Sequence, residues 1–149
     1  VAVAGCSVTA LGAMRYRPMA APEFAARWFP GGATAEALAE APMVIFDRDD
    51  PHQHAYLARA APDASPPMHM VPSSADFVAA IGLGMGWGMV PDLQAQAPGA
   101  PALTGIDPSG TIDVALYWQQ WRLRSASLDR LAEAIVAGAR ARLVAAERP

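Results

Sequence analysis

Gly82-Leu-Gly-Met-Gly-Trp-Gly-Met-Val-Pro, residues 82–91, alternates glycine with larger residues and continues as a short apolar segment that ends at Pro91. Upstream, Ser73-Ser74-Ala75-Asp76-Phe77 has the composition of a helix start, because serine and aspartate accept hydrogen bonds from the first backbone N–H groups of a helix. Together the two segments predict a helix, a tight glycine turn and a buried strand. That order indicates an α/β unit of the kind that small-ligand receptors use.

The same glycines do not form a nucleotide-binding loop. In a G-x-G-x-x-G motif that begins at Gly82, the third glycine would fall on Trp87. The run also follows a predicted helix and precedes a strand, which reverses the order found in dinucleotide-binding folds. No G-x-S-x-G nucleophile motif occurs in the chain. We therefore expect no catalytic residue and no cofactor.

Histidine and cysteine indicate neither a metal site nor a disulfide. His52 and His54 are two positions apart and do not share a helix face, so each is predicted to be a solvated helical residue. His69 stands alone in a predicted strand. Cys6 is the single cysteine, which excludes an internal disulfide and fits a reducing compartment. We expect a cytoplasmic protein without a bound metal.

Composition narrows the function further. Of the 149 residues, 53% are apolar and 17% are charged, which is enough apolar material for a packed core. All 11 basic residues are arginine, the formal net charge is −3 and no basic stripe occurs. The chain is therefore not expected to bind nucleic acid by itself. Arg, Asp, Pro or Gly interrupts each apolar run before membrane-spanning length, so no membrane partner is expected.

Strands and helices are predicted to alternate. The strands are at 6–11, 14–20, 43–46, 68–72, 87–90 and 112–121. The helices are at 22–29, 34–41, 52–61 and 73–81, with a last amphipathic helix from Ser125 through Glu147. Gly12 is predicted to end the first strand, and Pro18 to confine the second to an edge or a bend. The alternation favours an α/β fold with mixed, mostly parallel sheets.

Two extended segments, near residues 12–18 and 108–118, bracket everything between them, as happens where a chain crosses from one lobe to another and returns. We therefore expect an inner lobe at 15–110. An outer lobe, incomplete in this sequence, would be built from 1–14 and from the return strand and C-terminal helix at 111–149. Because the sequence opens at Val1 within a predicted strand, we interpret it as a fragment of, or a product processed from, a longer protein.

Acidic residues follow the predicted strand at 43–46, namely Asp47, Asp49 and Asp50. In open α/β sheets ligands bind outside the carboxyl ends of the strands, where carboxylates suit a cationic ligand. The alternative is capping of the next helix, which is favoured for Asp50 because Pro51 follows it. Both interpretations stay open for Asp47 and Asp49. They also stay open for the two serines at 73–74, which can cap a helix or help to bind a carboxylate.

Six segments occur in order along nearly the whole chain: Gly5-Cys-Ser-Val-Thr-Ala-Leu-Gly-Ala-Met-Arg-Tyr, Arg27-Trp-Phe-Pro-Gly-Gly, Phe46-Asp, Val71-Pro-Ser-Ser-Ala-Asp-Phe, residues 82–91 and Leu116-Tyr-Trp-Gln-Gln-Trp. Together they resemble LysR-type transcriptional regulators. Within that family they are similar to the branch that controls lysine and arginine export (the LysG/ArgP branch).

The resemblance implies a two-lobed effector-binding domain like a type II periplasmic binding protein, of which this chain would contain the C-terminal half. DNA would be bound only through a winged helix–turn–helix outside this sequence, in a homodimer or homotetramer. The effector would lie between the lobes. The resemblance assigns to its binding site Phe46, Asp47, Arg48 and Asp49 from the inner lobe, Ser73 and Ser74 opposite them, and Tyr117 and Trp118 from the outer lobe. Together with the acidic cluster it predicts a basic amino acid, L-lysine or L-arginine, as the effector that controls an amino-acid exporter gene.

Two other functions are open at this point. A solute-binding receptor of the same fold would have no role on DNA and would need an export signal upstream of Val1. A hydrolase or transferase on an α/β scaffold would need a nucleophile and a base brought together in space, and the sequence offers no convincing pair.

Overall fold

A computed structural model describes residues 3–122 and 125–145. The strands are β1 (Cys6–Ala20), β2 (Met43–Ile45), β3 (Met68–Met70), β4 (Gly88–Pro91), β5 (Thr104–Gly105) and β6 (Ile112–Trp121). The helices are α1 (Pro22–Trp28), α2 (Ala35–Glu40), α3 (Pro51–Ala60), α4 (Ser74–Gly82), α5 (Asp92–Ala95) and α6 (Ala126–Arg140). The chain divides into a central unit, Tyr16–Ile112, and a terminal unit formed by Val1–Arg15 and Asp113–Pro149.

The central unit contains the predicted α/β arrangement. β2, α3 and β3 form a strand–helix–strand unit in which Met43 pairs with Met68 and Ile45 with Met70 in parallel. A parallel bridge between Met43 and Trp87 places β2 beside the start of β4. Parallel pairing follows here because a helix carries the chain back to the same end of the sheet between one strand and the next.

The expected predominance of parallel pairs is wrong for the central unit. β1 pairs antiparallel with β4, Tyr16 opposite Pro91 and Met19 opposite Gly88. On its other side β1 pairs antiparallel with β5, where Ala20 lies opposite Thr104. The sheets are mixed, as predicted. The alternation of strands and helices did not predict these antiparallel pairs. No single helix joins β1 to β4 or to β5, so no local feature of the sequence sets the direction of β1 relative to them.

The first strand is one element where two were predicted. Gly12 does not end it, because a backbone φ of +125°, which glycine tolerates, lets β1 continue. Pro18 is not on an edge, since β1 has β4 and β5 as neighbours. Its carbonyl accepts the Ile106 N–H (3.0 Å), but its nitrogen has no hydrogen to donate. The pairing with β5 accordingly stops at Met19.

The hydrophobic core of the central unit lies on both faces of its strands. Alternate residues of one strand belong to different clusters: Met89 packs in the larger cluster and Val90 in the smaller one. Because successive side chains of a strand point to opposite faces, the two clusters cover opposite faces of the sheet. Helices α1, α2 and α3 supply Phe24, Leu38, Tyr56 and Leu57 to one cluster, and α4 supplies Phe77, Val78 and Ile81 to the other. The predicted burial of the strand at 43–46 on both faces is confirmed for β2.

Gly86 permits a close approach of two backbone segments, and we expect its replacement to destabilise the protein. A Cβ at this position would lie 2.7 Å from the Pro42 carbonyl oxygen, which cannot move without disturbing β2. We expect Gly86→Ala to lower the free energy of unfolding by about 2 kcal/mol, a typical cost of overpacking. Urea unfolding measures the change. In the matched control, Gly105→Ala, the added Cβ meets nothing within 4 Å. Equal stability of the two variants would contradict the expectation.

In the terminal unit β1 pairs with β6. Arg15 and Asp113 form a bidentate ion pair, in which Arg15 Nε donates to Asp113 Oδ1 at 2.7 Å and Arg15 Nη2 donates to Asp113 Oδ2 at 2.6 Å. Ser125 caps α6 as predicted, its Oγ accepting the Leu128 N–H. The helix ends at Arg140, before the predicted end, because the chain turns away so that Val144 can pair with Ala13. Glu147, the predicted end, lies outside the described residues.

No helix among residues 3–122 and 125–145 is long and apolar enough to span a bilayer.

Candidate functional site

A cavity of about 260 Å³ opens in the central unit. It lies where β4 ends and where α3 and α4 begin, the position that open α/β sheets use for ligands. Its lining residues are Tyr16, Phe46, Asp47, Asp50, Pro51, His52, Gln53, Ser74, Phe77, Met89, Pro91 and Gln94. The size suits a small metabolite, because pockets for larger, drug-sized ligands begin at about 300 Å³.

Asp50 holds the loop that borders this cavity. Its side chain is only 6% exposed. One carboxylate oxygen accepts the His52 N–H at 3.1 Å, which caps α3, and the other accepts the Phe46 N–H at 3.0 Å. Capping, the favoured interpretation, is confirmed for Asp50. Because both oxygens are engaged by the backbone, the residue's role is to fix the loop at 46–50.

The other two aspartates of the cluster lie differently. Asp47 lines the cavity, and its Oδ1 accepts the Asp49 N–H at 2.9 Å. Its Oδ2 has no hydrogen-bond donor among the described residues, so this oxygen is available as an acceptor. Arg48 and Asp49 are exposed and are not among the residues that line the cavity. The structure therefore brings Phe46 and Asp47 to the cavity and leaves Arg48 and Asp49 outside it.

Ser73 and Ser74 separate in the same way. The Ser73 Oγ accepts the Asp76 N–H at 3.5 Å, so Ser73 is the cap of α4. Ser74, the first residue of the helix, lines the cavity. A ligand contact through Ser74 stays a prediction.

Tyr117 and Trp118 belong to β6, in the terminal unit. As neighbours on a strand they point to opposite faces. Tyr117 is 58% exposed, whereas Trp118 is partly buried and its indole N–H donates to Gln120 Oε1 at 3.1 Å. Trp118 also borders a groove with Asp129 and Val136 of α6. At most one of the two rings faces a given ligand, and their assignment to a ligand site stays a prediction.

Tyr16 and His52 are aromatic residues of the cavity that the sequence did not predict. Tyr16 of β1 and His52 of α3 pack with ring centroids 4.5 Å apart and planes tilted by 34°. The prediction that His52 is solvated is wrong, because its ring is half-buried against Tyr16. Burial, and to a lesser extent the Asp50 charge, raise the pKa of the Tyr16 hydroxyl, which stays protonated at neutral pH. No local signal links these residues, since they lie on separate elements far apart in the sequence.

Gln53 is a further lining residue that the sequence did not predict. It is 1% exposed, and its Nε2 donates to the Val44 carbonyl oxygen at 3.3 Å. This contact determines the orientation of the Gln53 amide. In the flipped orientation Oε1 would lie against the Val44 carbonyl oxygen, and neither oxygen carries a hydrogen to donate. Its Oε1 is buried and has no partner among the described residues. A buried acceptor left unpaired costs roughly 1–3 kcal/mol.

The cavity combines one available carboxylate oxygen, an aromatic pair and apolar surface from Phe77 and Met89. This combination suits a cation with an apolar stem. Across the described ranges 3–122 and 125–145, no group of three or more His, Cys, Asp or Glu side chains is arranged to hold a metal ion.

No protein-family model matches the chain. A solved structure of the C-terminal domains of a LysR family protein from Agrobacterium tumefaciens is 39% identical to it, with a TM-score of 0.83. The match covers 97% of this chain and 71% of that one. The chain belongs to the LysR family. Its α/β fold matches the effector-binding domains of that family, as the sequence predicted.

Other LysR-family relatives identify the branch. The transcriptional regulator ArgP from Pseudomonas fluorescens Pf-5 is 46% identical over 121 residues, 80% of this chain and 40% of that protein. Full-length LysG from Corynebacterium glutamicum, solved with bound effector Arg, is 35% identical with a TM-score of 0.82, over 97% of this chain and 50% of that one. The predicted resemblance to the LysG/ArgP branch is confirmed. The chain spans less than half the length of that curated ArgP.

Proposed function

We propose that this LysR-family chain is the effector-sensing part of a cytoplasmic transcriptional regulator and that its effector is a basic amino acid, arginine or lysine. The observation that carries the proposal is the Asp47 carboxylate at the cavity of the central unit, with one oxygen that has no donor among the described residues. The effector Arg bound to the related LysG supports the choice of ligand.

Charge and shape support a cationic ligand. A hydrogen bond between a cationic N–H group and a carboxylate is about twice as strong as one between neutral groups. Phe46, Phe77 and Met89 offer apolar surface to the methylene stem of the same ligand. We assign the cationic end of the effector to this cavity, with Phe46, Asp47 and Ser74 as contacts. The assignments of Arg48, Asp49, Ser73, Tyr117 and Trp118 stay predictions.

Binding would act by shifting a conformational equilibrium. A ligand favours whichever conformation it binds more tightly, by no more than the difference in its two affinities. In a full-length regulator, that shift would change how its DNA-binding segments sit on the promoter of an exporter gene. No bond is made or broken in this scheme, so the chain is not an enzyme. Because the named relatives are transcriptional regulators, the solute-binding alternative is not favoured.

Calorimetric titration of the chain with arginine and with lysine tests the proposal. We expect both to bind, and we expect citrulline, which has the shape of arginine without its charge, to bind at least 10-fold more weakly. Asp47→Asn is expected to weaken the binding of arginine about 10-fold, because it removes a charge-assisted hydrogen bond worth about 1.5 kcal/mol.

The matched control is Asp63→Asn, an exposed aspartate that is not among the lining residues, for which we expect a change of less than about twofold. Absence of binding by both amino acids would overturn the proposed function. Unchanged affinity in Asp47→Asn would overturn the role of this carboxylate.

A further inference from the structure

We propose that Tyr16 and His52 make this cavity selective for a planar guanidinium group over an ammonium group, so that arginine is bound more tightly than lysine. The inference rests on the proposed function, since it takes a basic amino acid as the ligand. It adds two residues that determine which basic amino acid is preferred.

The aromatic pair is the first observation. The rings of Tyr16 and His52 lie 4.5 Å apart, both line the cavity and both are half-buried. A guanidinium is flat and weakly hydrated, so it stacks on aromatic surface at little cost in solvation. An ammonium is a compact charge that holds its water tightly, and the same aromatic surface does not replace that water. The aromatic pair therefore favours a guanidinium group over an ammonium group.

The acceptors are the second observation. Asp47 lines the cavity; its Oδ1 accepts the Asp49 N–H, and its Oδ2 is an acceptor without a donor among the residues that the structure describes. A guanidinium carries five N–H donors in one rigid plane, which allows it to donate in several fixed directions at once. An ammonium carries its three donors on one atom, so it cannot match both oxygens of a carboxylate with two parallel hydrogen bonds as a guanidinium does. The arrangement again favours arginine.

The test is the ratio of two dissociation constants, measured for lysine and for arginine by calorimetry on the same preparation. We expect the wild-type chain to prefer arginine by about 10-fold. Tyr16→Leu, which removes the ring, is expected to reduce the preference to about threefold or less. Tyr16→Phe keeps the ring and is expected to keep the preference. His52→Leu removes the other ring of the pair, from α3 rather than β1, and is expected to reduce the preference in the same way. Thermal unfolding shows whether each variant is folded.

Each outcome has one meaning. Binding of both amino acids with equal affinity overturns the selectivity and leaves the proposed function intact. A preference that persists in both Tyr16→Leu and His52→Leu overturns the role of the aromatic pair. Absence of binding by both amino acids in the wild type overturns the proposed function, and the selectivity with it. A preference that falls in both leucine variants and persists in Tyr16→Phe supports the inference.

Discussion

Replacing Trp87 with alanine is expected to lower the free energy of unfolding by about 4 kcal/mol, the upper part of the range for large-to-small changes in a core. Trp87 is 0% exposed and packs edge-on against Tyr56, with ring centroids 5.5 Å apart. Its backbone also exchanges hydrogen bonds with the neighbouring segment, donating to Pro42 and accepting from Val44. The substitution leaves a cavity at the junction of β2 and β4. Urea unfolding measures the loss.

Two variants separate the packing of Trp87 from general effects of losing a tryptophan. Trp87→Phe keeps most of the ring and removes an indole N–H that has no partner among the described residues, so we expect a loss of about 1–2 kcal/mol. Trp121 is 61% exposed, and Trp121→Ala is expected to cost less than about 1 kcal/mol. If the Trp87→Ala protein were as stable as the Trp121→Ala protein, the expected contribution of Trp87 packing to stability would be contradicted.

Asp50→Ala is expected to have the second-largest effect, a loss of about 3 kcal/mol. About 1 kcal/mol comes from the lost cap of α3. The rest comes from the Phe46 N–H, which loses its acceptor, at roughly 1–3 kcal/mol. Because the same carboxylate fixes the loop that carries Asp47, we also expect arginine to bind more weakly. Urea unfolding and calorimetry on one preparation measure both effects.

The control for Asp50 is Asp76→Ala. Asp76 lies in the first turn of α4, as an exposed residue whose side chain does not cap the helix. Its carboxylate has no hydrogen-bond or ion-pair partner among residues 3–122 and 125–145, so we expect the loss of its interaction with the helix dipole to cost about 0.5 kcal/mol. Asp50→Asn, which keeps one acceptor for the His52 N–H, is expected to fall between the two alanine variants. Equal stability of Asp50→Ala and Asp76→Ala would mean that the two hydrogen bonds of Asp50 contribute little.

Local chemistry explains what could be predicted. Asp50 followed by Pro51 predicted the start of α3, and Ser73 and Ser125 predicted the starts of α4 and α6, because capping depends on residues within one helical turn. The continuous apolar run at β2 predicted a strand covered on both faces. The acidic cluster predicted carboxylates after β2, and Asp47 lines the cavity of the central unit, although ligand binding there stays a prediction. Each of these signals lies within a few residues of the feature that it predicts.

Predictions that depended on distant partners were less successful. The expected mostly parallel pairing was wrong because β1 meets β4 and β5 only in the folded protein. His52 was expected in solvent because nothing near it in the sequence indicates Tyr16. Gln53 could not be predicted, because nothing in the sequence of α3 indicates that one of its amide atoms is unpaired in the folded protein.

The sequence by itself determined the α/β class, the helix starts, the LysR-family resemblance and the placement of a carboxylate after β2. These depend on short-range capping, on the period of apolar residues and on contiguous motifs. Only the tertiary structure decided the direction of β1 in the sheet, the pairing of Tyr16 with His52, and which members of the acidic cluster reach the cavity. Those outcomes depend on contacts between residues far apart along the chain, and such contacts form only when packing of the core fixes the geometry between elements.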